Sequence, residues 1–147
     1  MFSHTVLALL KSGYQVIVLD NFSNSSPECL RRVAKLASRE PVVIQGDLTD
    51  NRTLQQIFSE NDDISAVIHF AALKAVGEAT EQPLKYYKNN VSGSVLLLEA
   101  MEQFGVKNLV FSSSCTVYGE PEKVPISENF PVGGVSSPYG RTKYIME

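Results

Sequence analysis

Apolar positions recur along this chain in two alternating rhythms. Val6, Leu7, Leu9 and Leu10 lie at helical spacing within Ser3 to Ser12, and Gly13 offers a C-cap where that stretch ends. Gln15 to Leu19 (QVIVL) is a short continuous run rich in β-branched residues, the pattern of a strand buried on both faces. The alternation then repeats. Pro27 to Ser38 predicts a helix with Leu30, Val33, Ala34 and Ala37 on one face, and Pro41 to Gln45 a strand. Thr53 to Ser59 predicts a helix with Leu54, Ile57 and Phe58 inward, and Ile64 to Phe70 (ISAVIHF) a third buried strand. Pro83 opens the longest helical stretch, which runs to about Phe104 and is closed by Gly105. Asn108 to Ser112 (NLVFS) predicts a fourth strand. Beyond Tyr118 the chain turns to Gly, Pro and Ser, and helical character returns from Ser137 or Pro138.

Strands and helices in such alternation imply parallel strands joined by right-handed crossovers, an α/β doubly wound sheet. No internal repeat or low-complexity linker interrupts it. The 147 residues suggest one domain, residues 1–147, large enough to bury a core. A composition of 44% hydrophobic and 20% charged residues excludes intrinsic disorder. The net charge of -3 provides no electrostatic footprint for nucleic acid or an anionic membrane. No apolar run approaches the ~20 residues that span a bilayer, and the N-terminus lacks the basic flank and cleavage site of a signal peptide. Two cysteines, Cys29 and Cys115, and two histidines make neither a disulfide framework nor a zinc site, so no metal is expected. A cytoplasmic protein with free thiols is the expectation.

Ligands of doubly wound sheets bind beyond the carboxyl ends of the strands. Asp20 ends the first strand there and is followed by Asn21, Phe22, Ser23, Asn24 and Ser25. A carboxylate in that place can accept both ribose hydroxyls of an adenosine and repels a 2′-phosphate, which favours NAD over NADP; a polar turn residue explains it equally well. Asp47, in Gly46-Asp47-Leu48, is a second candidate or a cap for the next helix, a task Thr49 or Asp50 could also fill. Tyr139 and Lys143 form a Tyr-x-x-x-Lys pair, which on a helix shares one face. At ~6 Å and an effective dielectric of ~20, the ammonium favours a phenolate by about 3 kcal/mol, which suits a base. Ser112, Ser113 and Ser114 follow a strand end, where a hydroxyl can relay a proton or simply bond the local backbone. His69, within an apolar strand, reads as a hydrogen-bonded core residue, and Cys115 as a small buried hydrophobe.

These motifs together resemble the extended short-chain dehydrogenase/reductase family, in the branch that epimerises UDP-hexoses at carbon 4. The matching stretches are SHTV (Ser3 to Val6), VLDNFSNS (Val18 to Ser25), GDL (Gly46 to Leu48) and VIHFAALKAVGE (Val67 to Glu78). They continue with PLKYYKNNVSG (Pro83 to Gly93), KNLVFSSSCTVYG (Lys107 to Gly119) and SPYGRTK (Ser137 to Lys143). Tyr-x-x-x-Lys marks only the superfamily, whereas HFAALKAVGE with SSSCTVYG is specific to the branch.

The resemblance implies a Rossmann-type, NAD-dependent isomerase that interconverts UDP-glucose and UDP-galactose through a 4-keto intermediate. By position it assigns Asp20 to Ser25 to the adenosine side of NAD, with Asp47 and Leu48 near the adenine. Phe70, Ala71, Ala72, Leu73 and Lys74 would line the cofactor, Lys74 near its diphosphate, with Asn89 and Ser112 as further contacts. Ser114 matches the active-site hydroxyl, Tyr139 the base and Lys143 the ribose-binding lysine. Lys74, Ser114, Cys115, Thr116 and Tyr139 would meet the sugar, Cys115 standing where the family usually has alanine. The helices beginning near Pro83 and Pro138 are candidates for packing in a homodimer.

The family also begins with a strand and a Gly-x-x-Gly-x-x-Gly turn, and none of the nine glycines here forms it. Met1 and Phe2 stand at the last turn positions, and the family's later, sugar-binding part has no counterpart before Glu147. The expectation is therefore a partial NAD-binding domain without the family's N-terminal strand or its substrate domain, itself inactive and poorly stable. Two alternatives stand beside it. Another nucleotide-sugar epimerase or dehydratase is one, although a dehydratase wants an acidic residue near Thr116 and none is there; a non-catalytic nucleotide-binding fragment is the other.

Overall fold

The structure, a computed structural model, describes residues 2–147, so Met1 of the expected turn lies outside the described residues. It resolves into two compact units, one ending at Asp47 and the other Leu48–Glu147.

The first unit runs α1 (Phe2–Lys11), β1 (Ile17–Asp20), α2 (Glu28–Ala37) and β2 (Val42–Gln45). The helical stripe read from the sequence becomes the core, where Val6 and Leu10 of α1 meet Leu30 and Val33 of α2 over Val18 of β1. Gly13 follows α1 with φ 90°, the left-handed turn that glycine adopts without a Cβ clash. β1 and β2 are parallel, from Ile17 opposite Val42 to Asp20 opposite Gln45, so Asp20 emerges at the carboxyl edge.

The second unit runs α3 (Asn51–Glu60), β3 (Val67–His69), α4 (Val76–Glu81), α5 (Pro83–Tyr86), a π-helical stretch (Tyr87–Ser92), α6 (Gly93–Gln103) and β4 (Leu109–Phe111). A 3-10 turn (Cys115–Tyr118) and α7 (Pro138–Met146) complete it. Asp50 caps α3, accepting the Arg52 N–H at 3.1 Å and the Thr53 hydroxyl at 2.7 Å, so the cap is Asp50 and not Asp47. Leu54, Ile57 and Phe58 turn inward as their spacing predicts, and Phe58 stacks on Phe104 at 5.9 Å. β3 and β4 pair in parallel, placing His69 opposite Phe111. Each unit thus holds one two-stranded parallel sheet with its helical crossover, the β-α-β arrangement of a Rossmann-like α/β fold.

Three features differ from the reading of the pattern. The strands are shorter and less enclosed than continuous apolar runs suggest: Val43 in β2 and Val110 in β4 are 43% and 60% exposed. Composition reports a strand's fitness for a buried sheet; actual burial depends on what packs against each face. The segment Val76–Glu81 is a helix that no apolar stripe announces, because Ala79 is its single buried residue. The long helix from Pro83 is composite. Its middle turn, Tyr87–Ser92, is π-helical, and it brings the buried Asn90 inward.

Candidate functional site

In the first unit the functional candidates sit on the turn after β1. Asp20 Oδ1 accepts the Phe22 N–H at 2.8 Å and the Ser25 hydroxyl at 2.9 Å. These bonds fold the Asn21–Ser25 turn back on the strand end, and they hold Phe22 at φ 54°, a left-handed conformation rare for a bulky residue. The Phe22 ring then packs against the unit's core. Asn21 anchors the turn twice, donating from Nδ2 to Asp47 Oδ2 at 2.8 Å and accepting the Ser23 N–H at 3.0 Å. Asp20, Asn21, Ser25 and Asp47 are thus brought together at the carboxyl edge of β1 and β2, and Asn24 lies exposed at the tip. The turn-residue reading of Asp20 holds for Oδ1; Oδ2 has no hydrogen-bond partner among the described residues.

The second unit centres on Lys143. This residue is only 4% exposed, yet its ammonium donates to the Ser112 carbonyl at 2.7 Å and lies 4.7 Å from the centre of the Phe111 ring. Burial holds Lys143 below the ordinary lysine value. Helix α7 exists here for local reasons. Ser137 caps it by accepting the Gly140 N–H at 3.0 Å, and Pro138 occupies the first turn, where no donor is needed. A Cβ on Gly140 would lie 2.5 Å from Val135 and 3.2 Å from Thr116, so glycine lets α7 approach the 3-10 turn. The half-buried Tyr139 therefore shares one face of α7 with Lys143, one turn away.

Ser114 caps the 3-10 turn, accepting the Thr116 N–H at 3.3 Å and the Thr116 hydroxyl at 3.0 Å. A hydroxyl has two acceptor sites and one proton. With both acceptor sites engaged, the Ser114 O–H is left to donate to a third group. Ser113 Oγ is buried without a partner among the described residues. Cys115, read as a small buried hydrophobe, is instead exposed, because it begins the 3-10 turn and the turn's one buried side chain is Val117.

The loop after β3 (Phe70, Ala71, Ala72, Leu73, Lys74) leads into α4, and Leu48 is buried beside the start of α6, where a Cβ on Gly93 would meet it at 3.2 Å. Lys74 is exposed, with no hydrogen bond or ion pair among the described residues. Asn89 donates to Asn90 Oδ1 at 2.9 Å. Asn90, which the sequence reading did not single out, organises this region. Its Oδ1 accepts the Leu73 N–H and its Nδ2 donates to the Leu73 carbonyl, both at 2.8 Å. The same Nδ2 reaches Thr142 Oγ1 at 3.0 Å, and that hydroxyl donates to the Tyr139 carbonyl at 2.7 Å. One buried amide therefore ties the β3 loop to the helix bearing Tyr139 and Lys143. In the sequence Asn90 is one polar residue among several in the helical stretch from Pro83, with nothing to set it apart.

His69 is packed as expected, 5% exposed, with Nε2 at 2.7 Å from Ser94 Oγ and its ring 5.6 Å from Phe111. Desolvation first, and the Lys143 charge second, lower its pKa from 6.5 to about 4. Among the described residues no group of three or more His, Cys, Asp or Glu is placed to hold a metal ion, and no helix is long and apolar enough to cross a membrane.

Parallel α/β frames of this kind bind their ligands beyond the carboxyl ends of the strands. The chain belongs to the NAD dependent epimerase/dehydratase family, whose pattern matches residues 3–147. It is 54% identical over 145 residues to a UDP-glucose 4-epimerase of Bacillus subtilis (strain 168), covering 99% of this chain and 42% of that protein. A UDP-glucose 4-epimerase of Neisseria meningitidis serogroup A is likewise 54% identical, with 99% and 42% covered. Among solved structures, the Bifidobacterium longum UDP-glucose 4-epimerase in complex with NAD+ and UDP superposes with TM-score 0.94 at 45% identity, over 97% of this chain and 42% of that one. The Stenotrophomonas maltophila enzyme with bound NAD and formylated UDP-arabinopyranose gives TM-score 0.91 at 40% identity, over 98% and 42%. The chain thus spans about two-fifths of the length of these relatives.

Proposed function

We propose that this chain is the cofactor-binding part of an NAD-dependent UDP-hexose 4-epimerase that interconverts UDP-glucose and UDP-galactose. The observation that carries this reading is the buried Lys143, fixed on the Ser112 carbonyl, on one helix face with Tyr139. The donor set fits the cofactor. Asp20 keeps one carboxylate oxygen for ribose hydroxyls, and, among the described residues, Lys74 has an unpaired ammonium to offer a diphosphate and the buried Ser113 Oγ has no partner. Asn21 to Ser25, Asp47, Leu48, Phe70 to Leu73 and Asn89 complete the cofactor side; Lys74, Ser114, Cys115, Thr116 and Tyr139 face the sugar nucleotide.

The chemistry that NAD supplies when bound is reversible hydride acceptance at carbon 4 of the sugar, by way of a 4-keto sugar. The phenol oxygen of Tyr139 takes the proton of the 4-hydroxyl and later returns it, with Lys143 one turn away on the same helix face. Ser114, left with only its proton to offer, donates to the same sugar oxygen and steadies the charge that develops there. Lys143 holds its place through the Ser112 carbonyl while its remaining protons are available to a ribose. The free thiols Cys29 and Cys115 suit a reducing, cytoplasmic setting for galactose metabolism. The exposed Leu84, Val95 and Leu98 along Pro83–Gln103 suit a homodimer.

Tyr139→Phe in the whole protein tests this. Turnover of UDP-galactose should fall by at least about a hundredfold, the scale of a lost general base, while NAD binding persists. Asp20→Ala should weaken NAD binding by about 1–3 kcal/mol through loss of a charged acceptor. Near-full turnover in Tyr139→Phe refutes the assignment of the base.

A further inference from the structure

The peptide that carries Lys74 is held from both sides by residues of the helices that follow it. On one side Asn90 brackets Leu73, bonding its N–H and its carbonyl at 2.8 Å each. On the other, the Ala75 N–H donates to Tyr86 Oη at 3.1 Å. Tyr86 is wholly buried, and its own proton goes to Glu78 Oε2 at 2.7 Å. The other Glu78 oxygen accepts Lys85 Nζ at 2.6 Å.

This relay has a defined direction. The hydrogen bonds from Lys85 and then from Tyr86 hold the Glu78 carboxyl below its ordinary value, so it is a carboxylate and can only accept. Burial, then Glu78, raise the Tyr86 phenol above its ordinary value, so it keeps its proton and donates it to Glu78. The phenol oxygen is thereby turned towards Ala75 as an acceptor, strengthened by the charge behind it. Neither residue is required merely to fill the core. A phenylalanine would occupy the volume of Tyr86, and Glu78 lies on the outer part of a short helix.

We infer that Tyr86, oriented by Glu78, is a positioning residue that fixes the Lys74 peptide so that the lysine ammonium is presented to the diphosphate of a dinucleotide. The inference rests on the NAD-binding reading above. Tyr86 and Glu78 act through the Ala75 N–H, next in sequence to Lys74, and not by contact of their own with a ligand.

Two measurements on Tyr86→Phe, Glu78→Gln, Lys74→Ala and the Tyr86→Phe/Lys74→Ala pair decide it. Amide hydrogen exchange on this chain should show Ala75 exchanging about tenfold faster in Tyr86→Phe, the loss of one hydrogen bond. Glu78→Gln, a half-buried change that leaves the core intact, should shift it in the same direction by a smaller factor. Calorimetry with NAD on the whole protein should show about tenfold weaker binding in Tyr86→Phe, and the pair should be little weaker than Lys74→Ala alone. A general softening of the fold would not produce that non-additivity.

Unchanged Ala75 exchange in both Tyr86→Phe and Glu78→Gln overturns the inference, and so does a fully additive pair. If Lys74→Ala leaves NAD affinity intact while Asp20→Ala weakens it, the cofactor reading stands and this inference falls. If the unaltered whole protein binds no NAD, the cofactor reading falls first and takes the inference with it.

Discussion

Acid should loosen this fold through one histidine. His69 has a folded-state pKa of about 4 against 6.5 when exposed, because it is buried on Ser94 and faces the Lys143 charge. Between those values the unfolded chain binds a proton that the folded chain refuses. Stability is therefore fully present above pH 6.5 and is lost as pH falls toward 4. From the two pKa values, lowering pH from 7 to 5 costs about 2 kcal/mol, and complete passage through the window about 3 kcal/mol. Ordinary carboxylates barely titrate above pH 5, so the upper part of the window belongs largely to histidine. The direct assay is an NMR titration of the imidazole, since the chain has only two histidines and the other, His4, is exposed. His69 should stay neutral at pH 5, and urea unfolding should show the loss of about 2 kcal/mol in the native sequence but not in His69→Gln. Lys143→Met should raise the His69 pKa part of the way by removing the second cause. A His69 pKa of 6.5 or above, or an identical pH dependence in His69→Gln, refutes the reasoning.

Two further outcomes follow from packing alone. Asn90→Ala strands the half-buried Leu73 backbone groups and the buried Thr142 hydroxyl, so urea unfolding should show a loss of about 2 kcal/mol. Gly119→Ala should cost more than about 1 kcal/mol in the same assay. Its φ of 67° disfavours a side chain, and the added Cβ would lie 2.8 Å from the Gly134 carbonyl oxygen.

What was legible in the sequence was whatever depends on neighbours along the chain. The helical stripes of Leu54, Ile57 and Phe58, or of Leu30 and Val33, became core because spacing alone puts them on one face. Gly13 and Gly105 ended helices because only their φ was at stake. The Tyr139–Lys143 face followed from a cap, a proline and four residues of helix. Illegible features depend on partners distant in sequence. Asn90 is one polar residue among many until its amide is seen to bond Leu73 and Thr142. Cys115 looked like core because cysteine usually is, but the direction of a side chain in a tight turn is set by the turn. The exposure of Val43 and Val110 could not be read from their strands, since burial is a property of the covering layer.

The π-helical turn at Tyr87–Ser92 makes this helix a phase shifter. Each residue advances an α-helix by about 100°, and a π-turn holds one residue more than the regular repeat. Side chains before the turn and those after it therefore answer to two different angular frames. Tyr86 and Asn90 meet the β3 loop and α7, and Leu97, Ala100 and Met101 meet a core of their own. Deleting one residue within Tyr87–Ser92 would let the stretch close into a regular α-helix with the flanking faces still aligned in space, because the wider turn spreads its extra residue over nearly the same rotation. The same deletion inside α6 would turn everything beyond it by about 100°. Chain length is thus constrained more tightly in the regular turns of α6 than in the wider turn that precedes them.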